Sequence, residues 1–180
     1  MTRALSLRVL GAGVILAFAL LAAGCGSSKS AQTTTTSSTV DWANGVCSAV
    51  TTYKNSLTST ATTLVGNPSK SGLQDAVDQA KSATDTFIST TKNLGKPDTN
   101  AGQQAKSTLD TLSSQLDANV TTIQSATGSG LLAGISKATG ALATAQTQIT
   151  TAFDQLKGLD AKGELGDAFS QASSCSSLTG

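Results

Sequence analysis

Apolar residues recur at alternating steps of three and four from Val46 to Leu159, and that spacing restricts the chain to helices packed side by side. The first run places Val46, Val50, Tyr53, Leu57, Ala61 and Leu64 on one face, with Asp41 available as N-cap, and Gly66-Asn67-Pro68 breaks it. A second run starts near Ser71, where Ser71-Gly72-Leu73-Gln74 fits a capping box. It carries Leu73, Val77, Ala80, Thr84, Phe87, Thr91 and Leu94 before Gly95-Lys96-Pro97. The third opens at Asp98 to Asn100 and presents Ala105, Leu109, Leu112, Leu116, Val120, Ile123 and Ala126 before Gly128-Ser129-Gly130. The fourth has the clearest heptads, through Ile135, Ala138, Leu142, Ala145, Ile149, Ala152, Leu156 and Leu159. A short fifth segment holds Leu165, Ala168, Phe169 and Ala172.

Short connections force neighbouring helices antiparallel. The expectation is therefore an all-α fold over 41–180, an antiparallel up-down-up-down four-helix bundle with a short C-terminal fifth helix. Its filling is lean, because the only aromatics beyond the first forty residues are Trp42, Tyr53, Phe87, Phe153 and Phe169.

The N-terminus carries an address. Arg3 and Arg8 precede an apolar run from Val9 to Leu21, too short for the roughly 20 residues a membrane-crossing helix needs. Leu21-Ala22-Ala23-Gly24-Cys25 then has the outline of a bacterial lipoprotein signal, in which residues 1–24 are removed and the Cys25 thiol takes the diacylglyceryl group. Ala22 stands where a leucine is usual, which leaves ordinary signal-peptidase cleavage before Cys25, and free secretion, as the alternative. Residues 25–40, with Ser27-Ser28 and the hydroxyl run Thr33 to Thr39, read as a flexible tether that holds the domain clear of the lipid surface.

With Cys25 assigned to lipid, Cys47 and Cys175 remain, an even pair in a chain sent to an oxidising compartment. They are expected to bond to each other. In the predicted bundle the fourth helix ends at the pole where the first begins, and the fifth carries Cys175 across that pole. A zinc site needs more than two thiols, and the chain has no histidine. A redox reading wants Cys-x-x-Cys, and these cysteines lie most of a domain apart.

Composition narrows function further. Both arginines lie in the export signal, which leaves ten lysines against eleven acidic residues and a net charge of −1. No basic patch is available to neutralise phosphates, so nucleic acid is not an expected partner. The near-motifs have ordinary explanations. Ser89-Thr90-Thr91-Lys92 matches the Ser-x-x-Lys of penicillin-binding enzymes without any Lys-Thr-Gly to follow. Gly128-Ser129-Gly130 has no strand before it, as a phosphate loop would require. Asp75 and Asp78 read as first-turn acids favoured by the helix dipole, and Lys81/Asp85 and Lys106/Asp110 as surface pairs at helical spacing.

Without histidine the commonest general base is missing, so no catalytic residue, metal or cofactor is assigned and the chain is not expected to be an enzyme. Small residues such as Ala80, Ala138, Ala145 and Ala152 either let helices approach closely or line a cavity for an apolar ligand. Serine and threonine crowd the predicted outer faces and suggest a neutral, hydrogen-bonding exterior facing wall polymer or another protein. Trp42-Ala43-Asn44-Gly45-Val46-Cys47, with the stretch Leu159 to Leu165 leading through Ala168-Phe169 to Cys175, resembles uncharacterised small secreted lipoproteins of actinobacteria. That resemblance implies export, paired cysteines and a helical domain, and it brings no activity. The expected function is an envelope structural or protein-interaction module, anchored to the membrane through Cys25 and partnered by a cell-envelope protein or wall polymer. The alternative is a carrier of a small apolar ligand in the bundle core.

Overall fold

A computed structural model describes residues 31–178, with side chains from Ser38 onward; Cys25 lies outside the described residues. The described chain is all-helical. In order it runs α1 (Ala31–Gly66), α2 (Lys70–Leu94), α3 (Gly102–Gln124), a 3-10 turn (Ser125–Gly128), α4 (Leu131–Gly158), α5 (Glu164–Gln171) and a last 3-10 segment (Ser173–Leu178). Each helix packs on the next from α1 to α4, and α4 also packs on α1 and α2, so the apolar faces meet in one core.

The three-and-four spacing selects the buried face correctly. Val46, Val50, Leu57, Leu112, Leu116, Leu142, Ile149, Leu156 and Leu165 are all 2% exposed or less. Hydroxyls on those faces are buried at little cost where they donate within their own helix. Thr91 Oγ1 donates to the Phe87 carbonyl at 2.9 Å and Ser113 Oγ to that of Leu109 at 2.8 Å.

Three helix starts differ from those expected from the sequence. Helix α1 begins at Ala31, so Asp41 is an exposed mid-helix residue instead of an N-cap, and residues 31–40 of the expected tether are helical. Serine and threonine nucleate helices poorly, but extending a helix already held by its packed portion needs only propagation. Thr39 is already buried and Val40 packs against the core. The N-cap of α2 is Ser69, not Ser71: its hydroxyl accepts from Gly72 N at 3.0 Å, while the Ser71 hydroxyl pairs with that of Ser69. With α2 opening at Lys70, Asp75 and Asp78 fall beyond its first turn, and that turn holds no acid. Helix α3 follows Ala101, which makes no side-chain cap bond, so the Asp98 to Asn100 segment is the preceding turn and not the cap. Close packing sets this start, since a Cβ on Gly102 would lie 2.0 Å from the Pro97 carbonyl oxygen.

Gly95 ends α2 with φ of 65°, a left-handed conformation that glycine adopts without a Cβ clash. Its N–H donates to the Lys92 carbonyl at 3.2 Å, and its own carbonyl accepts from Trp42 Nε1, also at 3.2 Å. The first turns of α1's packed face are thereby tied to the α2–α3 connection.

Candidate functional site

Two features stand out beyond the core: a covalent clasp near the middle of α1, and an uncharged groove along its outer side. The clasp begins with Cys47, fully buried on α1, joined to Cys175 at a Cα–Cα distance of 5.0 Å across 128 positions of sequence. Asn44 reinforces it, accepting from Ser174 N at 3.0 Å and donating from Nδ2 to the Val40 carbonyl at 3.1 Å. The hydroxyls of Thr51 and Ser177 meet at 3.4 Å.

Three of the five aromatics among the described residues fill the space beneath. Phe169 of α5 stands edge-on between Trp42 and Phe153, with ring centroids 6.0 and 5.8 Å away. Lys157 Nζ lies 5.5 Å over the Phe153 ring. The sequence reading counted these rings without placing them together, because they come from α1, α4 and α5 and no local spacing links them.

The groove, of about 910 Å³, runs between α1 and α2. From α1 it takes Ser48, Thr52, Asn55, Ser56 and Ser59, and from α2 Gln79, Ser82, Thr86 and Thr90. Ala49, Ala83 and the edges of Tyr53 and Phe87 form its floor. No charged side chain lines it, although the same helices carry Lys54, Asp75, Asp78, Lys81 and Asp85. A smaller groove between α3 and α4, about 460 Å³, is likewise walled by hydroxyls and amides, including Gln104, Gln115, Gln148 and Gln155.

Under the larger groove the Tyr53 hydroxyl meets Thr84 Oγ1 at 3.1 Å, and the Tyr53 and Phe87 rings lie 5.2 Å apart. Burial raises the Tyr53 phenol above its ordinary value, with the Thr84 hydrogen bond pulling the other way. The folded state therefore favours the neutral phenol. That contribution to stability is complete below the ordinary tyrosine range and is lost as pH rises through the elevated folded value. Tyr53 is the sole tyrosine, so tyrosinate absorbance of the native protein reports it alone. We expect a native midpoint above about 10, and a melting temperature that falls more steeply over that range than in Tyr53→Phe. A midpoint equal to that of free tyrosine would refute this.

The remaining sequence candidates stay apart. Asp75 and Asp78 are exposed on α2. Ser89 to Lys92 forms part of the last turns of α2, where the Thr91 hydroxyl is spent on the Phe87 carbonyl. Gly128-Ser129-Gly130 connects the 3-10 turn to α4. Lys81–Asp85 and Lys106–Asp110 are exposed pairs one turn apart, with little consequence for stability. Ala80, Ala138, Ala145 and Ala152 sit within the core. Among the described residues no group of three or more acidic or cysteine side chains is placed to hold a metal ion, and no helix is long and apolar enough to cross a membrane. No known protein family, curated protein or solved structure matches this chain.

Proposed function

We propose that this protein is an extracytoplasmic lipoprotein, held to the membrane through Cys25, whose helical domain works as an envelope structural or protein-interaction module. The observation that carries this reading is the Cys47–Cys175 disulfide, a bond suited to an oxidising compartment. It agrees with the address read from Arg3 to Cys25 and with the resemblance to small secreted lipoproteins. We take the domain to be an antiparallel up-down-up-down four-helix bundle closed by α5. Short connections at residues 67–69, 95–101 and 129–130, consecutive packing of α1 to α4, and the return contact of α4 on α1 support that topology. The role is non-catalytic, in keeping with a sequence that has no histidine.

An apolar-ligand carrier is the weaker reading. The alanines that would line its cavity are buried in the same cluster as Leu142, Ile149 and Leu156, and the larger described space lies on the outside instead.

Growth of the native host with labelled fatty acid tests the anchor. Label should enter the wild-type protein and be absent from Cys25→Ser, which should appear in the medium instead of the membrane fraction. Equal labelling of the two, or none in either, would refute it.

A further inference from the structure

The outer groove between α1 and α2 is lined by uncharged side chains only, although both helices carry charges elsewhere. Ser48, Thr52 and Ser56 succeed one another at four-residue steps on α1, and Ser82, Thr86 and Thr90 do the same on α2. At those steps the side chains of each helix share one face. Two facing ladders of hydroxyls result, with the amides of Asn55 and Gln79 set among them.

Two of these six hydroxyls, and that of the buried Thr60 beside them, are already oriented. Ser56 Oγ donates to the Thr52 carbonyl at 3.0 Å and Thr86 Oγ1 to the Ser82 carbonyl at 2.8 Å. Thr60 Oγ1 donates to the Ser56 carbonyl at 2.8 Å. A serine or threonine that spends its proton on its own helix leaves its lone pairs as fixed acceptors. The walls therefore offer preset acceptors, and the two amides add donors. The floor is methyl and ring edge.

We infer that this groove binds an uncharged carbohydrate chain. Sugar hydroxyls, which both donate and accept, can donate to Ser56 and Thr86 and accept from the other ladder hydroxyls, and the C–H faces of the rings suit the alanine floor. A charged ligand would give up its hydration without meeting any counter-charge. An apolar chain could cover Ser56 and Thr86, whose protons are spent on their own helices, but would take water from the Thr52 and Ser82 hydroxyls and from the amide N–H groups of Asn55 and Gln79 without replacing it. The length also fits a chain better than a single ring: Gly45 to Thr60 spans roughly 22 Å of helix at 1.5 Å per residue, and the volume lies near the top of the usual range for ligand sites. The inference rests on the proposed extracytoplasmic location, where such polymers are encountered, and gives the interaction module a partner class.

Its test uses the full chain, purified in a detergent without a sugar headgroup. Binding is followed by ligand-observed NMR against neutral oligosaccharides of glucose, galactose, mannose and N-acetylglucosamine. An oligogalacturonate and a long-chain alcohol serve as charged and apolar probes. At least one neutral sugar should bind, with the acidic sugar weaker by about tenfold or more. The triple variant Thr52→Val, Ser82→Ala, Thr86→Val should lose about tenfold in affinity while its thermal melt stays in place, because all three residues are exposed. Binding of none of the sugars overturns the inference. So does equal binding of the acid, preference for the alcohol, or an unaffected triple variant. Fatty-acid labelling is read separately: a labelled protein that ignores the sugars loses the groove and keeps its anchor, whereas a sugar-binding protein without label loses the anchor alone.

Discussion

Replacing Cys47 and Cys175 together by alanine will lower the unfolding free energy by about 3–5 kcal/mol, a loss comparable with the entire stability of many domains of this size. The reason lies mainly in the unfolded chain. The bond closes a loop across 128 positions, and in the chain-entropy treatment a loop of that length restricts the denatured ensemble by about 5 kcal/mol. The folded side changes little by comparison. Cys47 and Cys175 are 0% and 2% exposed, so alanine leaves only a small void and no unpaired polar group. Denaturant melts distinguish this mechanism from a simple packing loss. An uncrosslinked chain exposes more surface on unfolding, so the slope of free energy against urea should rise in the double variant. A loss below about 1 kcal/mol with an unchanged slope would contradict the entropic account. Hydrogen exchange should localise the folded-state change to the last 3-10 segment, where Cys175 N donates to the Ala172 carbonyl at 3.0 Å.

That bond was legible in the sequence because cysteine pairing rests on counting and compartment, and neither depends on detailed geometry. The helices were legible for a similar reason. A face that repeats Leu, Ile, Val and Ala at steps of three and four can be buried only as a helix, and Leu109, Leu112, Leu116, Ile149 and Leu156 are buried as that rule requires. Helix starts were less legible, because capping residues are common and several compete. Ser69 and Ser71 differ by two positions, and the carbonyl geometry of the Asn67-Pro68 turn, invisible to a propensity argument, decides for Ser69. The start of α1 was missed because residues 31–40 are poor helix formers when considered alone, and the packed helix that follows them carries the extension.

The outer groove was half legible. Sequence composition placed hydroxyls on the exterior and suggested a neutral surface facing polymer or protein. It could not show that the hydroxyls of α1 and α2 face each other across a common floor, since that depends on how two helices are rotated about their axes. Helical spacing did pair Lys81 with Asp85, but it could not place that pair outside the groove lining. The aromatic clasp was the least legible part. Trp42, Phe153 and Phe169 are separated by more than a hundred positions in sequence or by a helix boundary, and only the return of α5 onto α1 assembles them.

Phe169→Ala should accordingly cost about 3–5 kcal/mol, the range for deleting a buried phenylalanine, although the ring sits on a helix of only eight residues. Such a helix is far too short to be stable by itself in water, so its fixed position depends on what its apolar face meets. Leu165 and Ala168 contribute to that face, but Phe169 alone contacts two aromatic partners edge-on, and edge-on pairs add about 0.5–1.5 kcal/mol each beyond area burial. The melting temperature should fall by about 10 °C or more. Trp42 is the sole tryptophan, and its emission should shift to the red as water reaches the indole face that Phe169 covers. Phe169→Leu separates shape from bulk: it keeps most of the volume and should cost less than about 1.5 kcal/mol, with emission close to that of the wild type. An alanine variant as stable as the leucine one, with unshifted emission, would mean that α5 is held by the disulfide and by the Asn44–Ser174 hydrogen bond, and that the ring stack beneath contributes nothing to its position.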